Sequence, residues 1–115
     1  MTAWDAARWV DDKQHNVYSL EDKLQWLTQA EQMAAQLRQR CGLEPGVQPL
    51  EPETELSIPE PFDQLYLRWL EAQINYAGQE YLKYNNAMTI FKALWVEYAN
   101  WFVRNHLAEG KKFNC

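Results

Sequence analysis

The sequence lacks the features that mark several large classes of protein. No apolar run approaches the roughly 18 residues that a membrane-spanning helix needs. The first residues, Met1–Asp5, have neither the basic nor the apolar segment of a secretory signal. The four glycines are spread along the chain, so there is no glycine-rich phosphate loop. We therefore expect no association with a membrane.

Cysteine and histidine are also scarce. The chain has two cysteines, Cys41 and Cys115, and two histidines, His15 and His106, and none of them has the spacing of a zinc or di-iron site. Two cysteines do not make a disulfide scaffold either, so we predict two free thiols. Without converging polar groups, we expect no catalytic residue, no metal and no cofactor.

Proline is confined to one region, since all five prolines lie between positions 45 and 61. Charge divides the chain in the same way. Residues 1–60 carry five basic and eleven acidic side chains, a net charge of −6, whereas residues 61–115 carry six and five, a net charge of +1. We interpret the chain as one domain, 1–115. Its parts are N-terminal helices (1–41), a Pro/Glu-rich loop (42–60), a helical hairpin (61–104) and a C-terminal tail (105–115).

The first part has clear helix boundaries. Thr2 with Asp5 three residues later forms a capping-box pattern, and it predicts a helix that runs to about residue 12. Ser19 with Asp22 marks the start of a second helix, and Gly42 marks its end.

The second part predicts two longer helices. Pro61 is typical of the first position of a helix, with Asp63 in its first turn, and Gly78 is a natural end. The next helix, of about 25 residues, has a heptad-like apolar seam: Tyr84, Ala87, Phe91, Leu94, Tyr98 and Trp101. The fold class is therefore all-α, a small helical bundle with a long antiparallel hairpin of helices 3 and 4 and two N-terminal helices.

The loop 42–60 has two interpretations. It is either a solvated connector or a segment that becomes ordered against a partner, and its stretch Glu55–Ile58 could pair as an edge strand in an assembly. Its candidate interface residues are Glu51, Glu53, Glu55, Leu56 and Ile58.

Tryptophan is unusually abundant, with six in 115 residues. Trp4 and Trp9 are five residues apart, about 140° around a helix, so they cannot share one face. Some of these rings should therefore lie outside the core of a monomer and mark contacts with other chains. Trp4, Trp9 and Trp69 are the candidate interface aromatics.

Many individually weak positions along most of the chain form a further pattern, and none of them is a catalytic motif. The segments are Ile58–Tyr66 (IPEPFDQLY), Leu70–Tyr76 (LEAQINY), Glu80–Tyr81, Lys83–Met88 (KYNNAM), Phe91, Tyr98–Ala99 and Arg104–His106, with Val10–Lys13 (VDDK), Asn16, Tyr18–Ser19 and Lys23–Leu27 (KLQWL) in the first part. In these segments the chain resembles a family of small helical proteins from tailed bacteriophages and prophages of Gram-positive bacteria, the head–tail connectors (adaptors or head-completion proteins).

The resemblance implies a non-enzymatic structural protein of the virion neck, assembled in the host cytoplasm. Its partners would be the portal protein, neighbouring copies of itself in a ring, commonly of twelve, and the next neck or tail protein. DNA would pass through the ring without sequence-specific binding, and the candidate loop residues Glu51–Ile58 would face either a neighbouring subunit or this channel. In related connectors the C-terminal segment reaches the portal, so the implied docking residues are Asn105, His106, Lys111, Lys112 and Phe113.

Two other functions stay open at this stage. A small helical phage regulator that binds a host or phage protein would also use exposed aromatic faces, and it would form a stable monomer or dimer with one soluble partner. An enzyme would need a polar pocket with converging His, Asp or Glu side chains, which the sequence does not offer.

Overall fold

The computed structural model of the chain describes residues 1–46 and 49–108 and contains four helices. They are α1 (Ala3–Lys13), α2 (Leu20–Arg40), α3 (Gln64–Ala77) and α4 (Tyr81–Ala108). The described residues form no strand, and an isolated antiparallel bridge joins Thr2 and Glu55. The predicted all-α fold with a long hairpin of helices 3 and 4 is confirmed.

Both N-terminal helices begin at capping boxes, as predicted. The N–H of Asp5 donates to Thr2 Oγ1 at 3.0 Å, and the N–H of Thr2 donates back to Asp5 Oδ2 at 3.0 Å. Ser19 and Asp22 repeat this arrangement at the start of α2, at 3.1 and 3.2 Å. Each box satisfies backbone donors that a helix N-terminus otherwise leaves unpaired.

The helix α3 lies at the centre of the bundle and packs against each of the other three helices. Leu65, Tyr66 and Leu70 are fully buried there. Each such side chain contributes roughly 1.5–3 kcal/mol through removal of apolar surface from water. The main partner of α4 is α3. Because α4 has 28 residues and α3 has 14, α3 can cover one side of α4 over only part of its length.

The turn between α3 and α4 is tight and places a non-glycine residue in the left-handed region. Gly78, where α3 was expected to end, caps the helix, but the residue with positive φ is Gln79, at 60°. The N–H of Glu80 donates to the carbonyl of Asn75 at 2.8 Å, and that of Gln79 to the carbonyl of Tyr76 at 3.0 Å. These two bonds form a Schellman motif whose left-handed position is occupied by glutamine.

Two predicted helix boundaries differ from the structure. Residues 60–63 form a turn with a cis peptide before Pro61, and α3 begins at Gln64 rather than at Pro61. At the other end, α4 continues to Ala108, so the predicted tail 105–115 begins within a helix. None of the helices in the described part of the chain is long and apolar enough to cross a membrane.

The segment 49–63 is ordered against the chain's own N-terminus, which neither interpretation of the loop anticipated. The first backbone N–H groups of α1 donate to this segment, Ala3 to the carbonyl of Thr54 at 3.0 Å and Trp4 to that of Pro52 at 2.8 Å. Leu56 N–H in turn donates to the Met1 carbonyl at 2.9 Å. The N-terminus of a helix has donors with no partner inside the helix, and here the loop supplies their acceptors.

Candidate functional site: the ordered loop and the exposed apolar surfaces

A polar network centred on Glu31 holds the loop against α2 and α3. The Glu31 carboxylate accepts hydrogen bonds from Ser57 N–H at 3.0 Å, from Ser57 Oγ at 3.1 Å and from the Tyr66 hydroxyl. The N–H of Ile58 donates to that same hydroxyl at 2.9 Å. Burial raises the pKa of Tyr66, and the neighbouring Glu31 carboxylate raises it further, so the phenol stays protonated and acts as a donor.

Arg38 also belongs to this network. Its guanidinium donates to the carbonyl of Pro45 at 2.7 Å and to Ser57 Oγ at 3.3 Å. A recess of about 140 Å³ borders the network. Ser57 Oγ therefore has both a carboxylate and a guanidinium as partners, and no histidine is among its hydrogen-bond partners within the described residues. This arrangement suits a structural clamp, because each polar group in it is satisfied by another.

The N-terminal amino group also binds the loop. Met1 N lies 3.0 Å from Glu55 Oε2 and 4.0 Å from Asp63 Oδ2. The hydrogen bond to Glu55 raises the pKa of the Met1 amino group. Asp63 is 2% exposed, and its Oδ1 has no hydrogen-bond partner among the described residues. The ammonium of Met1 lies beside the buried carboxylate of Asp63, and their opposite charges attract each other.

The five candidate loop residues fall into two groups. Glu51, Glu53 and Glu55 are exposed, and only Glu55 makes an ion pair among the described residues. Leu56 and Ile58 are 6% and 1% exposed and belong to the chain's own core. These glutamates therefore face outward, while Leu56 and Ile58 are not available to a neighbouring subunit in this conformation.

The three candidate interface aromatics also differ in exposure. Trp4 is 45% exposed and borders a shallow depression of about 330 Å³ with Pro52 and Glu53. Trp9 is half-buried, with the Arg68 guanidinium 5.7 Å from its ring. Trp69 is also half-buried, and its indole N–H donates a hydrogen bond to the backbone carbonyl of Trp26 in α2 at 2.7 Å. Trp4 is the one of the three that offers most of its surface to another molecule.

Two of the five implied docking residues can be described. Asn105 is exposed on the last turns of α4. His106 is half-buried, with Nδ1 2.7 Å from the Phe102 carbonyl oxygen and its ring 4.1 Å from the Phe102 ring. Lys111, Lys112 and Phe113 lie outside the described residues.

α4 also carries exposed apolar side chains that the sequence analysis did not identify. Leu82 is 75% exposed and Val96 is 55% exposed, and both lie on the side of α4 opposite the seam from Tyr84 to Trp101, its outer side. Ile90 is 45% exposed but lies about 80° around the helix from Leu82, beside a recess that Arg68 and Glu71 of α3 also border. Because these three residues are eight and six positions apart, no 3–4 apolar spacing marks them in the sequence.

Cys41 is fully buried and forms a disulfide bond, so the prediction that it is a free thiol is wrong. Cys115 lies outside the described residues. Among residues 1–46 and 49–108, no group of three or more His, Cys, Asp or Glu side chains is arranged to hold a metal ion.

The family to which this chain belongs is not shown by comparison with known proteins. No family model matches the chain, and neither does any curated protein or solved structure.

Proposed function

We propose that this protein is a non-enzymatic structural component of a tailed-phage virion, a head–tail connector that assembles as a ring beneath the portal. In this role it extends the DNA channel and offers a platform for the next neck or tail protein. Its partners are the portal protein and further copies of itself. The proposal starts from the resemblance of the segments Ile58–Tyr66 and Leu70–Tyr76 to that family.

The structural observation that supports it best is the number of large apolar side chains that a small chain leaves exposed. Seven large apolar side chains of the described residues are exposed: Trp4, Val17, Tyr76, Tyr81, Leu82, Ile90 and Val96. Exposed apolar side chains that gather on one side of a helix or at one end of a bundle are characteristic of surfaces that contact other macromolecules. Tyr76 and Tyr81 lie in contact at the α3–α4 turn, with ring centroids 5.7 Å apart, and Trp4 lies at the start of α1.

The exposed glutamates of the ordered loop also suit the proposal. Glu51 and Glu53 are held outward by a backbone that is tied to α1 through the carbonyls of Pro52 and Thr54. A fixed negative surface repels phosphate groups. If these carboxylates line the channel of a ring, DNA slides past them without being retained.

Binding to the cognate portal tests this function. The full chain should bind the portal, and reversing the tail charges with Lys111→Glu and Lys112→Glu should weaken binding at least tenfold. The matched control, Arg8→Glu with Lys13→Glu, makes the same change in net charge on α1 and should bind like the unaltered chain. A chain that ignores the portal but captures one soluble partner as a monomer or dimer would point to the alternative, a small phage regulator.

A further inference from the structure

We infer that the outer side of α4 is a docking surface for a second copy of this chain, with the two α4 helices parallel and in register. The inference concerns a different surface from the loop and the tail, and it does not rest on the proposed function. Its basis is a stripe of residues on α4, spaced alternately by four and three, which we call the outer seam: Leu82, Asn86, Thr89, Ala93, Val96 and Asn100.

The outer seam is exposed and uncharged along its whole length. Each of its six residues is exposed, whereas Ala87, Phe91 and Tyr98 on the opposite side are buried against the rest of the bundle. Alternating steps of four and three follow a period of 3.5 residues, which keeps a stripe facing one partner helix. At 1.5 Å per residue the seam is about 27 Å long. Its spacing therefore fits another helix.

The individual side chains of the seam fit close helix packing. Thr89 Oγ1 donates to the carbonyl of Asn85 at 2.9 Å, so its hydroxyl is satisfied within α4 and its methyl group can be buried without an unpaired donor. Ala93, at the middle of the seam, lets two backbones approach closely. Leu82 and Val96 are the larger apolar side chains of the seam. Since they are 75% and 55% exposed, a partner helix would remove much of their apolar surface from water, which favours association.

The polar residues of the seam indicate that the partner is the same helix in parallel. In a parallel, in-register pair each seam position meets its own copy, so Asn86 faces Asn86 and Asn100 faces Asn100. An asparagine amide both donates and accepts, and it can therefore hydrogen-bond to an identical amide across a helix pair. Asn86, Ala93 and Asn100 would occupy the a positions of the heptad, where a single Asn is known to fix register.

Charges beside the seam are complementary in this same register. Lys92 and Glu97 are exposed on opposite sides of it, about 140° apart around the helix, so they cannot reach each other within one chain. Neither residue takes part in an ion pair within the described part of the chain. Their separation of five residues is that of g and e positions, which form the interhelical ion pairs of parallel coiled coils. Lys92 of each copy would thus meet Glu97 of the other.

We expect the association of two chains through the outer seam to be weak and to stop at a dimer. A seam of about 27 Å with two asparagines buries less than the roughly 1,200 Å² of a stable interface, so association should appear at roughly tens to hundreds of micromolar. Since each copy contributes the same surface, the contact forms a dimer and does not extend into a ring. A ring of the kind proposed above needs another surface, and the large exposed apolar side chains outside the outer seam are Trp4, Val17, Tyr76, Tyr81 and Ile90 among the described residues.

Sedimentation velocity of the full chain from 5 to 500 µM tests the inference. We expect a monomer–dimer equilibrium that Val96→Asp weakens at least tenfold. The matched control is Val17→Asp, which makes the same change at a residue that is 87% exposed and lies between α1 and α2, outside the outer seam, and it should leave the equilibrium unchanged. Circular dichroism of both variants checks that their helix content is intact. A chain that stays monomeric at 500 µM, or a dimer insensitive to Val96→Asp, would overturn the inference, and so would larger oligomers in place of a dimer.

A charge-reversal cycle tests the parallel register. Lys92→Glu places two carboxylates opposite each other and should weaken the dimer several-fold, as should Glu97→Lys for two ammonium groups. The double variant Lys92→Glu with Glu97→Lys restores opposite charges and should regain the affinity of the unaltered chain. A double variant as weak as the single ones would rule out the parallel register.

Discussion

The hydroxyl of Tyr66 in α3 donates a hydrogen bond to the carboxylate of Glu31 in α2 while it accepts one from the backbone N–H of Ile58. One phenol thus connects two helices and the loop that lies between them in the chain. The Glu31 carboxylate also accepts hydrogen bonds from the N–H and the hydroxyl of Ser57. These contacts hold the Pro/Glu-rich segment together with the backbone hydrogen bonds between that segment and the first residues of the chain.

Removing the hydroxyl should therefore cost much more than the loss of one surface hydrogen bond. Tyr66→Phe leaves the buried Ile58 N–H without its partner and removes one of the two donors to Glu31 Oε1, and we expect a loss of about 1–3 kcal/mol in the free energy of unfolding. Urea unfolding followed by circular dichroism measures it. Tyr76→Phe removes the same hydroxyl at a residue that is 56% exposed and should change stability by less than about 0.5 kcal/mol. Equal effects for the two variants would refute this account of the clamp.

The ion pair between α1 and α2 should make the free energy of unfolding depend on pH in the acidic range. Lys23 is 2% exposed, and its ammonium lies 2.9 Å from Asp11 Oδ1. Burial of Asp11 opposes its ionisation, but hydrogen bonds from Lys23 and Asn16 outweigh this and hold its pKa below the ordinary value of 3.8.

Because the folded pKa of Asp11 is depressed, its contribution is present above pH 3.8 and is lost as the pH falls through the folded value. At pH 7 we expect Asp11→Asn to lower the free energy of unfolding by about 1–2 kcal/mol, because it leaves the buried Lys23 ammonium without a carboxylate partner. The loss is no larger because the Asp11 side chain is half exposed, and solvent screens its interaction with Lys23. The difference should shrink below pH 3.8. Thermal unfolding from pH 2 to 7 shows whether it does, and Asp12→Asn, at an exposed neighbour, is the control. A difference independent of pH would contradict the assignment.

The α3–α4 turn offers a stabilising substitution. Gln79 has φ 60°, a conformation that costs an L-residue with a Cβ roughly 1 kcal/mol or more and that glycine adopts freely. Gln79→Gly should raise the free energy of unfolding by about 0.5–1 kcal/mol. The same change at Gln25, exposed within α2, should lower it by about 1 kcal/mol. Both values come from chemical denaturation, and a loss of stability at position 79 would show that the Gln79 side chain contributes more than its strain costs.

The exposed glutamates of the loop should matter for DNA and not for the fold. Glu51→Lys with Glu53→Lys changes two side chains that form no ion pair among the described residues, so the melting temperature should stay within about 2 °C. In virions that carry this variant, DNA packaging or ejection should slow, because cations facing the channel retain phosphates. Asp12→Lys with Glu21→Lys, at exposed positions of α1 and α2, is the control of equal charge change. Unaltered packaging and ejection in the Glu51 and Glu53 variant would remove the channel role.

The local signals of the sequence predicted the helices well. The pairs Thr2 with Asp5 and Ser19 with Asp22 each satisfy donors three residues apart, so their effect does not depend on distant parts of the chain. The start of α3 was predicted less well. Pro61 suits the first position of a helix, but it follows a cis peptide and lies within a turn.

The candidate site was harder to predict because it depends on contacts across the fold. Tyr66 and Glu31 are 35 residues apart in the chain, and no spacing rule connects them. For the same reason the sequence could not show that Leu56 and Ile58 pack into the chain's own core, since an extended segment rich in Pro and Glu has the same pattern whether it covers its own chain or a partner. The outer seam of α4 was not marked by hydrophobic periodicity, because three of its six residues, Asn86, Thr89 and Asn100, are polar; only their exposure in the fold reveals it.

The mass of the complex between this chain and its cognate portal tests the central claim most directly. Native mass spectrometry or mass photometry of the two full-length proteins, mixed and separately, measures how many copies bind. The account predicts one copy of this chain for each portal subunit, twelve on a twelve-fold portal. A portal whose mass is unchanged in the presence of a saturating excess of this chain would contradict it.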